Sequence, residues 1–249
     1  MPDRGKAGAA ARWFPVAGAA EVPRRHVFHA QLLGEELALW RADDDLLNAW
    51  ENRCPHRGVR LTIGANLGME LRCQYHGMRF ASGTGQCSFV PAHPDQPPPR
   101  AIHAKSYPVI ERQGLIWVSL AAGAPPPEDA ETTVLRSIWM RAPASEVARA
   151  LAEYRFQPDG AIEGAEATCI VETVDEFTLL ATARAGGAPA RLSLFVQPVD
   201  EARSVVHGCL AGVVAKELLL PVLRHHSERL CRLRRSIEDA AAEQAATER

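Results

Sequence analysis

"RCPHRGVRL", residues 53–61, places Cys54 and His56 two positions apart, with Pro55 between them and Gly58 just after. Further on the chain reads "CQYHGM", residues 73–78, so a second sulfur and a second imidazole stand at Cys73 and His76. Sixteen residues separate His56 from Cys73, and each loop offers one thiolate and one ring nitrogen. Those four donors suit a [2Fe–2S] centre in which two cysteines hold one iron and two histidines hold the other. They can equally surround a tetrahedral zinc ion. Structural zinc loops more often open on Cys-x-x-Cys knuckles, however, and neither loop carries two cysteines. Pro55 has a fixed φ and no N–H, which stiffens the first loop. Gly58 and Gly77 have no Cβ, and the expectation is that they let the backbone approach the inorganic sulfides.

Outward from these loops the sequence predicts strands. "ELALWR" (36–41) and "LLNAWEN" (46–52) flank the acidic turn "ADDD" and read as a hairpin that delivers the chain to Cys54. "MRFA" (78–81), "SGTG" and "QCSFV" (86–90) read as a second hairpin leaving from His76, with Gly83 and Gly85 supplying positive φ. A proline-rich loop (91–100) precedes two short strands, "SYPVI" (106–110) and "LIWVSL" (115–120), and the run at 121–131 has the composition of a linker.

The expected architecture is α+β, with an all-β domain over residues 1–122 and a second, α+β domain over 132–249. In the second domain Ser145 is expected to cap a helix at 145–154, and strands follow at 167–174, 177–184, 190–196 and 204–210. Leu223, Leu230, Leu233, Ile237 and Ala241 mark one face of a long closing helix.

Composition narrows the function classes. The 249 residues are 47% hydrophobic, with a formal net charge of −2 and a pI near 6.5, leaving no basic surplus for nucleic acid or an anionic membrane. The most apolar run, Gly208 to Leu223, is broken by Lys216 and Glu217 and falls short of the roughly 20 residues that span a bilayer. The first residues lack a secretory core, so a cytoplasmic location is expected. Six cysteines at irregular spacing do not read as a disulfide framework; Cys87, Cys169, Cys209 and Cys231 are expected to be buried small hydrophobes. His207 is expected to be structural, and His93 and His103 to face solvent. His225 and His226 lie on the closing helix, exposed or packed. "CRLRRS" (231–236) reads as its solvated side, with docking of an acidic reductase as the alternative.

The stretch from about Trp13 to Leu120, through "CPHRG", "CQYHGMRF" and "YPVIERQGLIWVSL", resembles the N-terminal Rieske domain of ring-hydroxylating and O-demethylating non-haem iron oxygenases, the vanillate demethylase type among them. Respiratory Rieske subunits match less well, because they carry a further cysteine in each cluster loop. The resemblance implies that Cys54, His56, Cys73 and His76 bind a Rieske [2Fe–2S] cluster. It implies as partners an electron-donating reductase or ferredoxin, and an oligomeric assembly.

In that family a helix-grip (START-like) catalytic domain follows, holding a mononuclear iron with two histidines four or five positions apart and a carboxylate. No two of the nine histidines here have that spacing, and the segment expected to carry the iron ligands, between about Tyr154 and Glu166, reads as lost, with no histidine in it. The second domain is therefore expected to be a shortened helix-grip fold, and the sequence does not support mononuclear Fe(II). Two roles stay open: an oxygenase component working beside an iron-bearing companion subunit, or a non-catalytic electron carrier or degenerate paralogue. Any iron site in this chain would have to combine distant residues such as His207, Glu217, His225 and His226.

Overall fold

The computed structural model describes residues 9–153, 168–184 and 190–247. The chain divides into two compact units, 1–127 and 128–249. Among the described residues no helix is long and apolar enough to cross a membrane.

The first unit is built from β1 (Phe14–Gly18), β2 (Val27–Leu32), β3 (Glu35–Arg41), β4 (Leu47–Glu51), β5 (Ala65–Asn66), β6 (Glu70–Arg72), β7 (Arg79–Ala81), β8 (Cys87–Phe89), β9 (Ser106–Tyr107), β10 (Val109–Arg112) and β11 (Leu115–Val118). They form three sheets in the orders β1-β11-β10, β2-β3-β4-β9 and β5-β6-β7-β8. Both expected hairpins are present, as β3–β4 and β7–β8, and Gly83 and Gly85 have positive φ. "SYPVI" is not one strand. Pro108, which cannot donate to a ladder, splits it into β9, which pairs with β4, and β10, which pairs with β11 in another sheet.

Aromatic packing joins the two sheets that carry the cysteine–histidine loops. Trp40 on β3 meets Trp50 on β4 edge to face at 5.1 Å, and Trp50 meets Phe80 on β7 at 6.5 Å. Cys54, Cys73, Met78 and Cys87 belong to the same buried cluster, so both loops are seated on one core.

The second unit contains β12 (Thr132–Val134), β13 (Ile138–Met140), α1 (Ala144–Leu151), β14 (Thr168–Asp175), β15 (Thr178–Arg184), β16 (Ala190–Pro198), β17 (Ser204–Ala211) and α2 (Lys216–Thr247). Its antiparallel sheet runs β12-β17-β16-β15-β14, and β13 also pairs with β17. Two expectations are corrected here. Ser145 does not cap α1: the helix begins at Ala144 after Pro143, with no side-chain cap, and Tyr154 lies outside the described residues. The inner face of α2 carries Val222, His226, Leu230 and Ile237, whereas Leu223 and Leu233 are only half-buried and the side chain of Ala241 is not among those described. The helix is turned toward His226 because Gly208 on β17 leaves room for that ring; a Cβ there would come within 3.0 Å of His226 Nε2.

Candidate metal centre

The loops 54–59 and 73–78 close in the same way despite their different spacing. In the first, Cys54 N–H donates to Val59 O and Gly58 N–H donates to Cys54 O, both at 2.8 Å. In the second, Cys73 N–H donates to Met78 O at 2.8 Å and Gly77 N–H to Cys73 O at 3.1 Å. The turn is thus set by cysteine at its first position and glycine at its fifth, with Gly58 at φ 72° and Gly77 at φ 69°. A Cβ at Gly58 would meet no protein atom within 4 Å and one at Gly77 would come 3.2 Å from Pro91 Cγ, and the left-handed backbone by itself favours glycine at both positions.

Within this shared frame the ligand candidates separate into two pairs. The Cys54 and Cys73 side chains are buried and within hydrogen-bonding reach of each other, and burial foremost, with Cys73 adding, pushes the Cys54 thiol up to about 11. His56 and His76 are exposed, with Nδ1 facing Nδ1 at 3.1 Å. Tyr75, 57% exposed, lies on the His76 ring at 3.8 Å between centroids. Sulfur therefore faces sulfur inside and nitrogen faces nitrogen outside. No three His, Cys, Asp or Glu side chains among the described residues converge on a single ion position.

Two asparagines that sequence reasoning passed over fix the loops. Asn52, fully buried, receives the Thr62 N–H at 2.9 Å, and its own N–H donates to Glu36 O, pinning both ends of the first loop. Asn48 donates to Ser82 Oγ at 2.9 Å and receives Gly83 N–H at 2.8 Å, tying β4 to the hairpin after His76. Their signal was available: two amides flanking Trp50, Asn48 on β4 and Asn52 just past its end, must be hydrogen-bonded if buried.

His56 and His76 line one side of a cavity of about 490 Å³ whose other walls are Met78, Val90 and the proline-rich loop with His93. His93 and His103 face solvent, as expected. The loop is held at its exit, where Cys87 N–H and Gln86 Nε2 both donate to Ile102 O at 3.0 Å and Ala104 N–H donates to Gly85 O at 2.8 Å.

In the second unit, His207 is buried in a chain from Ser137 Oγ (2.8 Å to Nδ1) to Gln197 Oε1 (2.9 Å from Nε2). His207 and Gly208 alternate across β17, so His207 and His226 lie on opposite faces of the sheet and do not meet. Burial drives both imidazoles down to about 3. Cys87 and Cys209 are buried, whereas Cys169 and Cys231 are only half-buried, the latter because it stands beside the inner stripe of α2 and not within it. The segment from Tyr154 to Glu166 lies outside the described residues.

Comparison with known proteins is consistent in class. Residues 12–108 match the Rieske [2Fe-2S] domain family. The chain is 61% identical over 117 residues to Oxidoreductase NdmD of Pseudomonas putida, covering 47% of this chain and 20% of that protein. It is 34% identical over 170 residues to the toluene-4-sulfonate monooxygenase system iron-sulfur subunit TsaM1 of Comamonas testosteroni, covering 68% of this chain and 44% of that one. The chain thus spans less than half the length of these curated relatives. Its fold matches the crystal structure of apo dicamba monooxygenase with a TM-score of 0.75 at 19% identity, over 96% of this chain and 89% of that one. Residues 12–108 form a Rieske [2Fe–2S] domain, and the chain's relatives include an oxidoreductase and the iron-sulfur subunit of a monooxygenase system. Such a domain implies a [2Fe–2S] cluster.

Proposed function

We propose that Cys54, His56, Cys73 and His76 hold the [2Fe–2S] cluster, and that the chain takes single electrons from a reductase or ferredoxin and passes them into oxygenase chemistry. The observation that carries this reading is the sorting of donors into a buried sulfur pair and an exposed nitrogen pair. A zinc ion needs all four donors around one point, whereas a two-iron centre takes two donors at each iron. When bound, the cluster supplies reversible one-electron transfer. The chain's own residues do the rest. Cys54 and Cys73 exclude water from the inner side, and ligation displaces their thiol protons. His56 and His76 bring the redox centre to the surface.

Oxygen chemistry of this class needs a two-histidine, one-carboxylate iron. This reading assigns it to an iron-bearing companion subunit in an oligomer. Iron and acid-labile sulfide, counted on anaerobically purified protein together with its electron paramagnetic resonance spectrum, test the assignment. Two irons and two sulfides per chain are expected; one zinc and no sulfide would overturn it. A second reading, a carrier without oxygenase chemistry, is favoured by the 61% identity to an oxidoreductase over 117 residues. The two readings part when the chain is mixed with an iron-bearing oxygenase component, since only the first expects turnover.

A further inference from the structure

We infer that Cys54 and Cys73 form a redox latch: once the cluster is lost, dioxygen joins their sulfurs in a disulfide, and the site takes metal again only after that bond is reduced. The inference rests on the cluster assignment above for what the thiolates hold, and on the contact between the two side chains for the bond itself.

Backbone sets that contact. The turns that close through Cys54 N–H and Cys73 N–H hold each cysteine at the first position of its loop, and both side chains are buried in one core cluster. Their sulfurs lie within hydrogen-bonding reach of each other. A disulfide needs its sulfurs about 2.05 Å apart on side chains that face each other, so closure from such a contact is a matter of side-chain rotation. Cys87 shares the core cluster, but its Sγ donates to Phe89 O at 3.6 Å on its own strand. Cys169, Cys209 and Cys231 belong to the second unit. Cys54 and Cys73 are thus the pair set for closure.

The step balances. Two S–H bonds break, one S–S bond forms, and the two electrons and two protons reduce dioxygen to hydrogen peroxide. Exchange with a small thiol reverses the bond. Iron needs both sulfurs as thiolates, so the disulfide blocks reloading. It also keeps them from the sulfinic and sulfonic acids, from which a thiol does not recover them. Cluster loss in air becomes a reversible off state.

The test starts from the holoprotein, stripped of its cluster by an anaerobic chelator and desalted, with half of the sample then exposed to air. Thiol titration in denaturant should read all six cysteines in the anaerobic half and two fewer in the aerated half. A tryptic map of the aerated half should join the peptide of residues 54–57 to that of residues 73–79. Cobalt(II), whose thiolate complexes absorb in the near ultraviolet, should bind the anaerobic half at once and the aerated half only after a phosphine reductant. Cys87→Ser should still lose two thiols in air, and Cys54→Ser should lose none. Aeration in denaturant, where the contact is gone, should give mixed links. The inference is overturned if the aerated protein keeps every thiol, if its thiols pass to sulfinic acid without a link, or if the link runs to Cys87 or between chains. The same single link formed in denaturant would equally overturn it, because the fold would then play no part. Iron and sulfide counted on the protein as purified judge the cluster assignment separately, so the two failures are told apart.

Discussion

Serine at position 73 would keep the size of the cysteine while replacing a soft thiolate with a poor ligand for iron. Cys73→Ser should therefore lose the visible absorption and paramagnetic signal of the cluster, with iron and sulfide falling toward zero. The second unit should keep its far-ultraviolet circular dichroism, because it is a compact unit of its own. At the same scale, His207 and His226 make stability depend on acid. Both are held neutral by burial, with folded values near 3 against about 6.5 unfolded, so the unfolded chain binds more protons between those limits. Their contribution is complete above about pH 6.5 and is lost as pH falls toward 3, at up to about 1.4 kcal/mol per pH unit for each histidine. Urea unfolding of the second unit followed from pH 7.5 to 4.5 should show that slope, and His207→Gln should flatten it. The four cluster candidates were legible because their spacing is local, a cysteine and a histidine within one turn. Asn48 and Asn52 were not, because their partners at Ser82, Gly83, Glu36 and Thr62 are distant in sequence.

The two cysteine–histidine loops each turn on a glycine at positive φ. Gly58→Ala forces an L-residue into left-handed backbone, which costs roughly 1–2 kcal/mol. Gly77→Ala pays the same strain and adds a Cβ 3.2 Å from Pro91 Cγ, so it should be the worse of the two. Chelator-driven bleaching of the cluster should accelerate in both variants, in the order wild type, Gly58→Ala, Gly77→Ala. Alternating hydrophobicity disclosed the hairpins, but elements set by tertiary partners stayed hidden. β12 and β13 are three residues each, too short for a period, and Trp139 on β13 is exposed. On α2 the leucine stripe at 223, 230 and 233 competes with the stripe at 222, 226 and 230, and the glycine across from His226 decides between them. Pro108 shows the converse: one residue legible as a strand-breaker, whose effect is to hand the chain from one sheet to another.

For the molecule as a whole, the expected behaviour alone is reduction without product. An oxygenase reading predicts that the purified chain accepts electrons and oxidises nothing until an iron-bearing component is added. Product formed by the single polypeptide with a generic reductase, together with a third iron per chain, would refute this. The proline-rich loop has a separate consequence. Because its exit is hydrogen-bonded to the hairpin at Gln86 and Cys87, and because residues 91–97 are exposed, the segment can be rewritten without disturbing the frame beneath it. An equal-length Gly/Ser replacement of residues 92–97 should keep the cluster's spectrum while changing how fast a bulky quencher reaches it. Such a loop is an exchangeable visor: what meets the two imidazoles can be altered one residue at a time while the cysteine–histidine loops and the tryptophans of β3 and β4 keep their own packing.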